Sequence, residues 1–132
     1  MKEFAKVYLK ATGKRDNHPQ GHFPYIGSGE GTIEGDSISG KIDWTLFEDQ
    51  SKAPCDANLI GTITTDDGAT IEFEALGFFK QDGDSKMYTL TSGIRFSPDD
   101  GRYSNLRENL GLMTGKGDVE VFEMKHRIFL SE

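Results

Sequence analysis

The sequence lacks the features that mark secreted or membrane-spanning chains. Its single cysteine, Cys55, cannot form an intrachain disulfide, which is compatible with a reducing cytoplasm. No apolar run approaches the length of a transmembrane helix. The first ten residues carry four charged side chains where a signal peptide has its apolar core. We therefore expect a cytoplasmic protein with no membrane partner.

Basic residues are also scarce, with 15 Lys and Arg against 22 Asp and Glu and a net charge of -7. The densest basic stretches, 10–15 and 125–127, are short and mixed with other residue types. Phosphate backbones and anionic lipid surfaces repel a chain with this balance. We therefore exclude nucleic acid and anionic membranes as expected partners.

Helical periodicity is almost absent, whereas alternation of apolar and polar residues recurs along the chain. Asp-Gly pairs at 67–68, 82–83 and 100–101 are typical of hairpin turns, because these residues tolerate positive φ. A polar loop is predicted over 12–24, and the segment 102–113 is a weaker strand with room for a helical turn around Leu106. The predicted strands are 4–11, 28–34, 37–47, 57–65, 69–79, 86–96, 102–113 and 118–130.

About eight strands joined by tight turns predict an antiparallel meander within one domain, residues 1–132. Closing such a meander removes its exposed edges. We therefore predict an all-β, closed or nearly closed antiparallel barrel, with a two-sheet β-sandwich as the alternative. A barrel of this size holds either packed side chains or one small ligand.

A set of turns and strand residues in the middle and end of the chain resembles a known family. The stretch runs from Gly31-Thr32-Ile33-Glu34-Gly35 and Asp43-Trp44, through Thr65-Asp66-Asp67-Gly68-Ala69, to Arg95-Phe96, Tyr103 and a turn at Gly115. Over roughly residues 29–129 it is similar to the domain-of-unknown-function family 3237. That resemblance implies a small lipocalin-like (calycin) barrel and no settled activity. The chain departs from the family at Asn105-Leu106-Arg107, where the family tends to carry Trp-Leu-Asn.

Several short motifs have the outline of a metal or phosphate site but lack its context. His18 and His22 lie four apart in a segment with Pro and Gly, with no further ligand at metal spacing. The Gly29–Gly35 stretch precedes a strand and not the helix that a dinucleotide loop needs. The segment 114–117 is interpreted as a hairpin turn. We expect no metal site and no cofactor.

Polar and aromatic residues dispersed over several strands form the candidate site. Alternation places Trp44, Tyr88 and His126 on the more apolar strand faces, where they would line the mouth of a hollow barrel. Arg95 is the candidate partner for a ligand carboxylate, and Tyr103 completes the ligand-binding set. Alternatively, His126 is an ordinary core residue, and Arg95 pairs with a carboxylate on the adjacent strand.

Three functions remain open at this point. The first is binding of a small apolar or carboxylated molecule in the barrel. The second is a cofactor-free isomerase or cyclase in the same pocket, with His126 or Glu74 as the acid–base group. The third is a structural module that forms a homo-oligomer. For such contacts we expect one member of each pair, Phe78-Phe79 and Phe129-Leu130, to point outward.

Overall fold

The computed structural model describes residues 1–12, 19–20 and 23–131. His18 and His22 therefore lie outside the described residues, as does much of the predicted loop. Among the described residues there is no helix both long and apolar enough to span a bilayer. The regular elements are β1 (Lys2–Ala11), β2 (Pro19–Gln20), β3 (Phe23–Glu34), β4 (Ser39–Asp49), β5 (Cys55–Thr65), β6 (Thr70–Gln81), β7 (Met87–Pro98), a 3₁₀ helix (Gly101–Glu108), β8 (Leu110–Asp118) and β9 (Glu123–Leu130).

Eight long strands form one closed antiparallel barrel. From β3 to β9 each strand pairs with the next one along the chain, and β1 then pairs with both β9 and β3. The short β2 pairs only with the start of β3. The predicted all-β barrel is thus confirmed, and the sandwich alternative is wrong, because the β1–β3 pairing joins the two edges of the sheet.

Apolar side chains at alternate positions along the strands fill the barrel interior. On β4, Ile42, Trp44 and Leu46 are buried, while the intervening Lys41 and Asp43 are exposed. Trp44 thus lies on the apolar face of its strand, as alternation predicts. Each large apolar side chain so buried contributes roughly 1.5–3 kcal/mol relative to an exposed one.

The start of β1 departs from simple alternation. A bulge between Glu3 and Ala5 shifts the register with β9. Phe4 therefore packs against the core, with its ring edge-on to Phe96 at 6.2 Å between centroids. Simple alternation along residues 4–11 would put Phe4 on the same face as Tyr8, and it fails here because Phe4 is the extra residue of the bulge.

One end of the barrel is closed by the 3₁₀ helix between β7 and β8. Its Leu106 is 1% exposed and packs into the core. The Asp100 side chain accepts a hydrogen bond from the Arg102 backbone N–H at 2.8 Å and so caps the helix. The helical turn predicted around Leu106 is confirmed.

Two of the three Asp-Gly pairs lie in tight turns. Gly68 has φ +91° and Gly83 has φ +60°, a region that glycine enters freely. The pair at 100–101 instead starts the 3₁₀ helix, so the hairpin expected there is wrong. Asp is as well suited to cap a helix as to begin a turn, and sequence spacing does not separate the two roles.

The turn expected around Gly115 is also misplaced. Gly115 lies inside β8, paired with His126 on β9, and the reversal of the chain falls at 119–122. A Cβ at Gly115 would lie 2.1 Å from the Lys125 backbone oxygen and 2.5 Å from both Cα and Nδ1 of His126. This glycine therefore makes room for the β9 backbone and for the histidine ring.

Candidate functional site

Over the residues that the structure describes, the end of the barrel opposite the 3₁₀ helix holds a cavity of about 680 Å³, here called the mouth pocket. It lies where β1, β4, β6 and β8 end and where β5, β7 and β9 begin. Its apolar walls come from six large side chains: Trp44, Leu46, Phe79, Tyr88, Phe122 and Met124. Its polar rim comprises Thr12, Glu48, Gln50, Cys55 and Asp118.

The pocket is hollow because two inward positions around it lack a side chain. Gly27 on β3 and Gly117 on β8 both line the cavity. A Cβ at Gly27 would meet no described atom within 4 Å, and one at Gly117 would approach Met124 Cγ to 3.0 Å. Deeper in the barrel than Gly27 and Gly117, side chains such as Leu9, Leu59 and Ile94 pack the interior around a void of only about 10 Å³.

Trp44 and Tyr88 supply much of the aromatic surface. The Trp44 indole Nε1 donates a hydrogen bond to the backbone oxygen of Glu30 at 3.0 Å, so its polar atom is satisfied on the β3 side. The ring is 4% exposed and separates the mouth pocket from the outer surface. Tyr88 is half-buried and packs against the core. Both residues lie where the sequence predicted them.

The polar rim is engaged in local hydrogen bonds. The Gln50 side-chain amide donates to Glu48 Oε2 at 3.2 Å, and Asp118 Oδ1 accepts from the Glu120 backbone N–H at 2.9 Å. Burial, with the nearby carboxylates of Glu48 and two aspartates, raises the pKa of the Cys55 thiol. The thiol form is a weak nucleophile, and this pocket therefore contains no activated cysteine.

His126 lies inside the barrel but does not line the mouth pocket. It is 3% exposed, between Met124 and Ile128 on the inward face of β9, with Val7 and Gly115 as its cross-strand neighbours. Neither ring nitrogen has a hydrogen-bond partner among the described residues. Burial lowers the pKa of His126 to about 4, so the ring is neutral near pH 7. The prediction of His126 at the mouth is wrong, because it lies one inward position deeper than Met124.

Arg95 and Glu74 lie on the outer wall of the barrel. They face each other across β6 and β7 and line an open groove of about 930 Å³. Both side chains are exposed, as are the other groove carboxylates Glu30, Asp43 and Glu72. The prediction that Arg95 and Glu74 serve the barrel interior is wrong, because strand alternation turns them outward. The groove is larger than the mouth pocket, but its charges are solvated and screened.

Tyr103 lies at the closed end. Its hydroxyl donates a hydrogen bond to Asp67 Oδ2 at 2.8 Å, and Arg102 forms an ion pair with the same carboxylate at 3.2 Å. These contacts tie the 3₁₀ helix to the β5–β6 turn. Tyr103 was predicted to bind ligand, but the structure places it at the end of the barrel away from the mouth.

Of the five predicted ligand-binding residues, the structure thus brings only Trp44 and Tyr88 together at the mouth. Phe79, Met124 and the inward glycines Gly27 and Gly117 were not predicted as part of the pocket from the sequence. Alternation alone would have assigned Phe79 and Met124 to the interior. What it could not show is that they lie at the mouth pocket, since that depends on which strand ends coincide.

The described lining of the pocket is mostly apolar and contains no His, Lys or Arg side chain. Among the described residues no group of three or more His, Cys, Asp and Glu side chains is arranged to hold a metal ion. The fold and this cavity together define the described part of the chain as a small closed β-barrel with a cavity at one end.

The comparisons with known proteins agree with this class. No protein-family model matches the chain, and no curated protein matches it. Among solved structures, a β-barrel-like protein from Acinetobacter baumannii AYE aligns with a TM-score of 0.74 at 19% identity, over 98% of this chain and 93% of that one. A protein of unknown function from Clostridium acetobutylicum aligns with a TM-score of 0.80 at 14% identity, over 99% and 98% of the two chains.

Two further structures share the fold. A conserved protein of unknown function from Rhodopseudomonas palustris has a TM-score of 0.78 at 15% identity, covering 98% of this chain and 95% of that one. An enzyme from Penicillium herquei has a TM-score of 0.61 at 15% identity, covering 97% and 92%. At these identities the likeness concerns the fold, and the chain is similar to small β-barrels whose function is largely unknown.

Proposed function

We propose that this protein binds a small, predominantly apolar molecule in the mouth pocket. The observation that carries the proposal is the cavity of about 680 Å³ at one end of the barrel. Ligand pockets in proteins typically span about 300–1,000 Å³ and combine apolar walls with a few polar groups. The wall of large apolar side chains and the rim of Thr12, Gln50 and Glu48 have this composition.

The lining favours a neutral ligand over a carboxylated one. Its described members include the acidic residues Glu48 and Asp118 but no Lys or Arg. A carboxylate placed here would lose its hydration without gaining a counterion from them. Arg95, the expected counterion, lies on the outer wall and outside this pocket.

Trp44 makes the proposal directly testable, because it is the only tryptophan of the chain and lines the pocket. We would titrate the protein with N-phenyl-1-naphthylamine, a neutral apolar fluorophore. We expect its emission to rise and the Trp44 emission to fall together, with one saturable site. Cinnamyl alcohol should displace the probe at lower concentration than cinnamate.

A matched pair of variants locates the site. Gly27→Met extends a side chain into the cavity, whereas Gly101→Met adds the same side chain at the closed end, where a Cβ also meets no described atom within 4 Å. We expect Gly27→Met to weaken probe binding by at least tenfold and Gly101→Met to leave it unchanged. Equal binding by both variants, or no saturable binding by the native protein, would overturn the proposal.

No specific observation favours an enzyme in this pocket. The acid–base candidates His126 and Glu74 do not line it, and the Cys55 thiol is held in its protonated form. The Penicillium herquei enzyme shares the fold, but a shared fold does not transfer an activity. Membership in the domain-of-unknown-function family 3237 stays a prediction, since no family model matches the chain.

A further inference from the structure

His126 is a buried polar side chain that the packing of the barrel does not explain. Among the described residues three polar side chains are buried: Thr65, Ser92 and His126. The Thr65 hydroxyl accepts a hydrogen bond from the Ala69 backbone N–H at 2.8 Å, and the Ser92 hydroxyl donates to the Met113 backbone oxygen at 3.0 Å. Of the three, only the imidazole has no bond to a described residue. Because buried polar groups are normally hydrogen-bonded, an unbonded one calls for a partner from outside.

The surroundings of the ring offer too few polar groups to hold a buried water. An internal water typically forms about three hydrogen bonds to protein groups. The cross-strand neighbours of His126 are Val7 and Gly115. The inward side chains on either side of it along β9 are those of Met124 and Ile128. The only polar side-chain atom of these four is the Met124 sulfur, which is a weak acceptor. A water would therefore bond to the imidazole and to little else.

His126 lies one layer of inward side chains deeper than the mouth pocket. Met124, two residues earlier on the same face of β9, lines the pocket. Positions two residues apart along a strand are separated by about 6.7 Å. The same step on β8 leads from Gly117, which lines the pocket, to Gly115, where an added Cβ would lie 2.5 Å from His126 Nδ1. The imidazole is thus directly behind the layer of Met124 and Gly117.

Met124 is a cover that a ligand can displace. Its unbranched side chain has three rotatable bonds. It uses the space that Gly117 leaves, with its Cγ 3.0 Å from the place where a Cβ of Gly117 would lie. The cavity of about 680 Å³ beside it has room for the thioether to swing away from the histidine. Rotation about side-chain bonds alone would then bring the imidazole into contact with the pocket.

We propose that His126 binds the hydroxyl group of a neutral, largely apolar ligand whose body fills the mouth pocket, an inference that rests on the proposed binding function. A neutral imidazole has one N–H donor and one nitrogen acceptor, and a hydroxyl group both donates and accepts, so either tautomer can bond to it. Burial lowers the pKa of His126 to about 4, so near pH 7 the ring gives a carboxylate no counterion. The expected ligand is therefore an apolar alcohol or phenol.

Competition between two matched ligands tests the hydroxyl contact. 2-Naphthol and 2-methylnaphthalene have nearly the same shape and differ in a hydroxyl against a methyl group. We would measure how each displaces N-phenyl-1-naphthylamine from the native protein, from His126→Leu and from Ser92→Ala. The last variant is the matched control, because it removes a buried hydroxyl one inward row deeper than His126.

The measured quantity is the affinity for 2-naphthol divided by the affinity for 2-methylnaphthalene. We expect this ratio to fall about fivefold or more in His126→Leu, the factor that one buried hydrogen bond gives. Ser92→Ala should keep the native ratio. An unchanged ratio in His126→Leu, or an equal fall in Ser92→Ala, would overturn the hydroxyl contact but leave the pocket as a binding site. Absence of saturable probe binding by the native protein would overturn both proposals.

NMR of the imidazole ¹⁵N nuclei locates the contact independently. The chain has three histidines, and the His126 signals are the ones that disappear in His126→Leu. We expect 2-naphthol to shift these signals by several ppm and to favour one tautomer, and 2-methylnaphthalene to shift them far less. Shifts of equal size with both ligands, or with neither, would contradict a hydrogen bond to the ring.

Discussion

Replacing His126 by Leu should make the protein more stable, and by a larger amount in mild acid. In the native chain the imidazole is 3% exposed and neither nitrogen has a hydrogen-bond partner among the described residues. A buried polar group without a partner costs about 1–3 kcal/mol, whereas an apolar group of similar volume does not carry that cost. We therefore expect His126→Leu to raise the free energy of unfolding at pH 7 by about 1 kcal/mol.

The acid dependence follows from the pKa of His126. Burial lowers it to about 4 in the folded protein, from an ordinary value of 6.5. Because the unfolded chain binds the proton at higher pH than the folded chain does, the free energy of unfolding falls as the pH drops from 7 toward 4. These two pKa values give a loss of about 2 kcal/mol between pH 7 and pH 5. His126→Leu abolishes that loss, so its advantage should grow to about 3 kcal/mol at pH 5.

Urea denaturation of both proteins at pH 7 and pH 5 measures the effect. Carboxylates that titrate in this range are present in both chains, so their contributions cancel in the difference. NMR titration of the imidazole protons gives an independent check, since the His126 resonance should not shift above pH 5. A constant difference in stability between the two proteins at both pH values, or a His126 pKa near 6.5, would refute the reasoning.

Three further changes test other parts of the fold. Leu106→Ala removes the buried side chain that closes one end of the barrel and should lower the free energy of unfolding by about 2–5 kcal/mol in urea; an unchanged midpoint would show that the 3₁₀ helix is not part of the core. Gly115→Ala sets a Cβ 2.1 Å from the Lys125 backbone oxygen and 2.5 Å from His126 Nδ1, so it should cost about 1–3 kcal/mol; an unchanged melting temperature would contradict this crowding. Asp100→Ala removes the helix cap and should lower the melting temperature at pH 7. Bonds from Arg102 hold the pKa of Asp100 at about 2, below its ordinary 3.8, so this difference should persist at pH 4 and vanish as the pH falls through 2.

Local signals in the sequence determined the strands and their faces. Period-two alternation placed Trp44 on β4 and Tyr88 on β7 on the apolar faces of their strands, and Asp-Gly pairs located two of the hairpin turns, because both features depend on neighbouring residues alone. The same signals were ambiguous where one residue type has two roles. Asp100 capped a helix where a turn was expected, and Gly115 made room for His126 inside a strand.

The sequence by itself therefore established an all-β chain and the strand face of residues such as Trp44 and Tyr88, whereas Arg95 and Glu74 were assigned to the wrong side of the wall. Only the tertiary structure decided which of those residues meet. Trp44 and Tyr88 meet at the mouth pocket because the ends of their strands lie at the same end of the barrel. His126 is buried deeper in the interior, and Tyr103 lies at the closed end. The reason is that the register between strands and the closure of β1 on β3 depend on contacts across the whole barrel, which no local pattern encodes.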